Sequence, residues 1–146
     1  MALQKMHNTG IVVDDLDAAI AFFAELGMVL EGRMDIEGSW ADLAVGIDGI
    51  RSEIAMMRTP DGEGRLELAK YHRPGLVDAL PENPPHNILG MHRVMYAVDD
   101  LDDTIARLRK HGGDVIGGIG VYEDSIRICY FRGPAGIIVG LSDTIG

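Results

Sequence analysis

One stretch of the chain occurs twice. Val13-Asp14-Asp15-Leu16-Asp17 returns as Val98-Asp99-Asp100-Leu101-Asp102, at an offset of 85 residues. The match runs on past these identities: Ile20-Ala21 answers Ile105-Ala106, Gly27 answers Gly112, and Gly32 answers Gly117. Near the end of each copy, Pro60 and Gly62 correspond to Pro134 and Gly136. A duplication limits the fold severely, because one supersecondary unit must serve twice.

Each copy has the same grammar. Asn8 to Val13 is rich in β-branched residues and predicts a strand. Asp14 or Asp15 can cap the helix that follows, and Asp17 adds negative charge to its first turn. Leu16, Ile20 and Phe23 recur at helical spacing, and Gly27 closes the helix. Met28–Met34, Arg51–Arg58 and Arg65–Tyr71 predict three further strands, the last two joined by the turn Thr59-Pro60-Asp61-Gly62. Residues 36–50, with Trp40, read as a loop with one helical turn. The second copy repeats this: a strand at Arg93–Val98, a helix with Leu101, Ile105 and Leu108 inward, and strands at Val115–Gly120, Ser125–Arg132 and Ile137–Leu141. Between the copies, Pro74, Pro81, Pro84 and Pro85 exclude a regular element. The expected organisation is one domain over 1–146, with units at 6–72 and 91–143 and a Pro-rich linker at 73–90.

The 146 residues can bury a sizeable core. A net charge of −10 opposes sequence-independent nucleic-acid binding and an anionic membrane surface, though not a local basic cleft for a small anion. Cys129 is the single cysteine, which excludes an intrachain disulfide and a cysteine zinc site and fits a reducing compartment. No apolar leader or membrane-length run is present, so the expected location is cytoplasmic.

Two tandem βαβββ units, each opening strand-Val-x-Asp-Leu-helix, with Gly-Pro-Ala-Gly-Ile-Ile-Val closing the second, resemble the vicinal oxygen chelate superfamily. That group includes glyoxalase I, bleomycin-resistance proteins and extradiol dioxygenases. The resemblance implies an α+β fold, with each unit curling its mixed sheet into half of a cup and the helices outside. It implies a ligand in the cup, often a divalent metal, and a homodimer.

It also implies where metal ligands would stand. The first-strand ligand, usually His, lies eight residues before the Leu of Asp-Leu, which falls on Asn8 and Arg93. The last-strand ligand, usually Glu, falls on Glu67 and Gly140. Strand alternation agrees: Asn8, Glu67, Arg93 and Gly140 face the cup, while Ile11, Val13, Leu66, Leu68, Val139 and Leu141 face the helices. A guanidinium cannot ligate a metal. The expectation is that Arg93 supplies the missing charge and pairs with Glu67.

Alternation also assigns Met57, Met95 and Phe131 to the cup, as pocket lining or as core. Glu53 and Arg127, equivalent in the repeat, are assigned to the same face, at the rim or in solvent. Trp40 either covers the cup mouth or plugs the core. His7 and His92 repeat at the 85-residue offset. With Glu67 they make an alternative two-His, one-carboxylate metal site, although alternation turns both toward the helices. His72, His86 and His111 read as surface residues.

Three functions follow from the resemblance. The first is a metal-free, cofactor-free protein binding a small molecule through Asn8, Glu67 and Arg93. The second is a metal-dependent lyase, isomerase or dioxygenase using His7, His92 and Glu67. The third is metal-free catalysis, with Glu67 as general base and Arg93 stabilising an oxyanion.

Overall fold

The computed structural model describes residues 4–90 and 93–146. The chain divides into two compact units, the first through Asp78 and the second from Ala79. In the first unit the order is β1 (Thr9–Val12), α1 (Leu16–Leu26), β2 (Val29–Glu37), α2 (Ser39–Val45), β3 (Arg51–Arg58) and β4 (Arg65–Arg73). The second holds β5 (Arg93–Ala97), α3 (Leu101–Arg109), β6 (Asp114–Tyr122), β7 (Ile126–Arg132) and β8 (Ile138–Thr144). Each forms one mixed four-stranded sheet, ordered β1-β4-β3-β2 and β5-β8-β7-β6, in which only the first strand pairs in parallel. The expected α+β architecture of two βαβββ units is present. Among the described residues no helix is long and apolar enough to cross a membrane.

The duplicated motif forms a helix start in both places. The Asp15 carboxylate accepts from Ala18 N at 3.0 Å, and that of Asp100 accepts from Asp103 N at 3.0 Å. Each satisfies an N–H that the first helical turn leaves without an intrahelical partner. Gly27 ends α1 at φ 125°, as its spacing predicts. The second helix stops earlier, at Arg109, before its glycine pair. Gly113 has another reason to be glycine: a Cβ there would overlap the carbonyl oxygen of Arg132 and the ring of Phe131.

Each helix covers one face of its sheet. Leu16, Ala19, Phe22, Phe23 and Leu26 of α1 are buried, as are Ala55, Met57, Leu66 and Leu68 of the strands. In the second unit Leu101, Ile105 and Leu108 are buried, with Cys129, Phe131, Val139 and Leu141. The two large apolar sets are what hold each helix on its sheet.

Several assigned faces need correction. Met57 is fully buried and lies opposite Leu66, on the face toward α1; its neighbour Met56 lies opposite Glu67 instead. Phe131 lies opposite Val139 and is fully buried. Arg127 lies opposite Asp143 and reaches Asp102 of α3, so it belongs to the helix face, neither on the ligand face nor at its rim. Glu53 likewise meets Arg33, which reaches Asp17 of α1. The cause is common to all four. β3 and β7 carry apolar residues on both faces, so their own alternation is ambiguous. Register against the neighbouring strand decides which set turns inward.

Residues 36–50 also differ from a plain loop. β2 continues to Glu37, and α2 makes about two turns. The Asp42 carboxylate accepts from Gly49 N at 3.0 Å and Ile50 N at 2.9 Å, and Ala41 and Ile50 are buried. A side chain reaching back over the segment thus fixes a helix that local propensity alone would leave marginal. Trp40 is 62% exposed and therefore does not plug the core.

Candidate functional site

The site residues sit on the sheet faces turned away from α1 and α3. In the first unit the parallel pairing puts Gly10 beside Glu67, with Met56 and then Gly32 continuing the row. Among the described residues a Cβ at Gly10 or Gly32 would meet nothing within 4 Å, so the row is open beside Glu67 at Gly10 and again beyond Met56. Asn8 Nδ2 lies 3.5 Å from Glu67 Oε2, at the outer limit of a hydrogen bond. The carboxylate is half-buried and weakly held, with open space on its glycine side.

The equivalent row of the second unit is Met95, Gly140, Tyr130 and Ile116. Here the floor is filled. A Cβ at Gly140 would lie 2.9 Å from Met95 Cγ and 3.1 Å from Tyr130 Cε1. Arg93 stands one row away, with its guanidinium over the Tyr130 ring, 5.5 Å from the centroid. Its Nη1 is 2.7 Å from His86 Nε2. His86 in turn meets Tyr130 edge-on, ring centroids 4.3 Å apart at 81°.

His86 was expected at the surface; it is instead half-buried, between the half-buried Tyr130 and the exposed Arg93. The segment that carries it is docked on the second unit. Arg132 Nη1 donates to Pro84 O at 2.7 Å and to Gly136 O at 3.1 Å, and Pro84 is buried. Proline density announces an irregular segment but not where it lands. Tyr130 was legible in principle, since it alternates with Arg132 on one face of β7.

The expected Arg93–Glu67 pair would join the two units. Within its own unit Arg93 is held by His86 and Tyr130, and Glu67 by Asn8. Met95 lies on the assigned face, 48% exposed. Arg127 is instead a structural clamp: it donates to Asp143 at 2.9 and 2.6 Å and to Asp102 at 3.0 Å. The Arg127 guanidinium holds the Asp143 carboxyl below the usual carboxylate range, against the opposing effect of its burial.

The alternative metal site rests on His7, His92 and Glu67. His7 is exposed, and His92 lies outside the described residues. Among the described residues no group of three or more His, Cys, Asp or Glu could hold a metal ion. At the second unit's ligand positions, a guanidinium offers no lone pair and Gly140 has no room for a carboxylate side chain. The residues therefore do not fit a divalent ion held in the pattern that the resemblance implies.

Comparison with known proteins agrees with the fold. The family model of the Glyoxalase/Bleomycin resistance protein/Dioxygenase superfamily matches residues 5–141. The crystal structure of a glyoxalase family protein from Bacillus cereus is 45% identical, with a TM-score of 0.94 over 100% of this chain and 97% of that one. A glyoxalase/dioxygenase from Nostoc punctiforme is 19% identical, with a TM-score of 0.67 over 98% of this chain and 92% of that one. TnmS3, an antibiotic binding protein from Streptomyces sp. CB03234, is 24% identical, with a TM-score of 0.54 over 99% of both chains. Among curated proteins none matches.

Proposed function

The chain belongs to the Glyoxalase/Bleomycin resistance protein/Dioxygenase superfamily, and from that premise we propose that it binds a small molecule without a metal. The ligand lies against the sheet faces turned from the helices. By itself the first unit's face offers Glu67 and Asn8, and by itself the second unit's face offers Arg93 with Met95 as adaptable apolar lining. One observation carries the metal-free part: of the two ligand positions in the second unit, one is a cation and the other is a glycine closed in by Met95 and Tyr130. The same fold in TnmS3 belongs to an antibiotic binding protein. Fold alone does not separate binding from turnover, so the assignment rests on the site. A homodimer and a cytoplasmic location belong to the same proposal; the first comes from the resemblance and the second from the lone, unpaired Cys129. Light scattering tests the dimer.

The experiment is a thermal-shift screen of small molecules against the wild type, Glu67→Gln and Arg93→Gln, with elemental analysis of protein purified without chelator. The expected result is a ligand whose stabilisation is lost in at least one variant, and substoichiometric divalent metal. A ligand that stabilises all three proteins equally would overturn the site. A stoichiometric bound divalent ion would overturn the metal-free reading. Turnover of a bound ligand that Glu67→Gln abolishes while binding persists would move the protein to metal-free catalysis.

A further inference from the structure

We propose that Arg93 is the receptor for an oxyanion, so that the ligand of the second unit's open face is a small carboxylate or phosphate-type anion, and that His86 is the residue that positions Arg93 for it. The inference rests on the small-molecule reading above and adds the ligand's charge.

The chain has 23 acidic and 13 basic side chains, so a guanidinium ordinarily finds a carboxylate. Arg33, Arg65 and Arg109 all do so, at 2.6 to 2.9 Å. Arg93 is exposed, and among the described residues of its own unit its partners are an imidazole and a phenol ring. Neither partner neutralises it. A guanidinium only donates, so at 2.7 Å the His86 Nε2 must be the acceptor. The cluster keeps the full positive charge of Arg93, and the His86 bond engages one of five N–H groups. A planar fork held over an aromatic ring is suited to the two oxygens of a carboxylate or phosphate group.

The positioning is built into the fold. Arg93 and Arg132 both pair with Ile138, from β5 and β7, and so share one face on either side of β8. Arg132 holds the strap that delivers His86, through Pro84 O. The strap lies close against the β7–β8 turn: a Cβ at Gly136 would sit 3.0 Å from Glu82 O and 3.3 Å from Pro84 Cδ. Two guanidiniums share this face, and the carboxylate of their row, Asp114 opposite Arg132, is already bonded to Arg109, which favours a small anion over a cation.

The test is calorimetric titration at constant ionic strength, using inorganic phosphate and acetate, with tetramethylammonium as the cationic control. The wild type should bind at least one of the two anions at millimolar concentration and ignore tetramethylammonium. Tighter phosphate assigns a phosphate-type ligand, and tighter acetate a carboxylate. Arg93→Gln should weaken binding by about tenfold or more. Arg93→Lys, which keeps the charge but loses the fork, should weaken it severalfold and carries the test if the first variant does not fold. His86→Gln keeps an acceptor and should stay near the wild type. His86→Phe keeps a ring against Tyr130 but no acceptor, and should bind more weakly than His86→Gln. Absence of anion binding, or unchanged binding in both Arg93 variants, overturns the proposal; equal binding by the two His86 variants removes the positioning role. A neutral molecule lost in Glu67→Gln but kept in Arg93→Gln would sink this inference and leave the small-molecule reading standing.

Discussion

In both units a guanidinium ties the helix to its sheet, yet it comes from a different strand in each. Asp17 and Asp102 are equivalent in the repeat and receive it. In the first unit Arg33 of β2 bonds Asp17 at 2.6 Å and Glu53 at 2.7 Å. In the second, Arg127 of β7 bonds Asp102 at 3.0 Å and Asp143 at 2.6 Å. Glu53 and Arg127 are themselves equivalent positions, one an acid and the other a base. What the two copies share is the contact, helix carboxylate to sheet guanidinium; the strand supplying the cation has drifted. Burial separates them further. Asp17 is 81% exposed, whereas Asp143 is only 4% exposed and also accepts from Leu101 N at 2.8 Å, at the start of α3. The first clamp is a surface ion pair, weakened by solvent and salt. The second is anchored on a buried acid whose loss would leave Arg127 only its exposed Asp102 partner and strand a helix N–H.

This contrast sets an order of effects. Asp143→Ala should be the most damaging single change, lowering Tm by roughly 5–10 °C in a calorimetric melt. If Asp17→Ala costs as much, burial is not what distinguishes the clamps.

Acid should expose the same asymmetry. Arg127 depresses the folded-state pKa of Asp143 below its unfolded value of about 3.9. The stabilisation is therefore fully present above that unfolded value and disappears as pH falls through the folded one. Melts of Asp143→Asn should lose part of the wild type's steep decline below about pH 4. Parallel Tm–pH curves would remove Asp143 from the acid response.

The open faces yield a third comparison. Gly140→Ala forces a methyl between Met95 and Tyr130 and should cost about 1–3 kcal/mol. Gly10→Ala enters open space and should stay within about 0.5 kcal/mol. Met95→Ala should restore much of the Gly140→Ala loss, and denaturant titration of the double variant checks it. The smallest effect is expected from Arg33→Met, a Tm change of about 1–3 °C that shrinks with added salt.

Most of the element order was legible in the residues. α1 and β3 fall on their predicted limits, and both aspartate caps follow from the duplicated motif, because capping and helical periodicity are local properties. The faces of β1, β4 and β8 were legible too, since each alternates clearly or is fixed by a repeat partner. Met57, Phe131, Glu53 and Arg127 were not. Their strands place apolar residues on both faces, and an inward arginine reads as outward until its buried acid is known. His86 was missed for a related reason: its role depends on a loop landing site that no periodicity encodes.

The sequence by itself determined the duplication and the two helices with their caps, and it set Asn8, Arg93 and Gly140 at positions where the resemblance would look for metal ligands. Only the tertiary structure decided which face each methionine and arginine took, that Asp143 is the buried anchor of the second unit, and that a proline-rich strap brings His86 to Arg93. The first set follows from interactions between residues a few positions apart. The second depends on strand register and loop docking, where partners on other elements choose between local arrangements of similar energy.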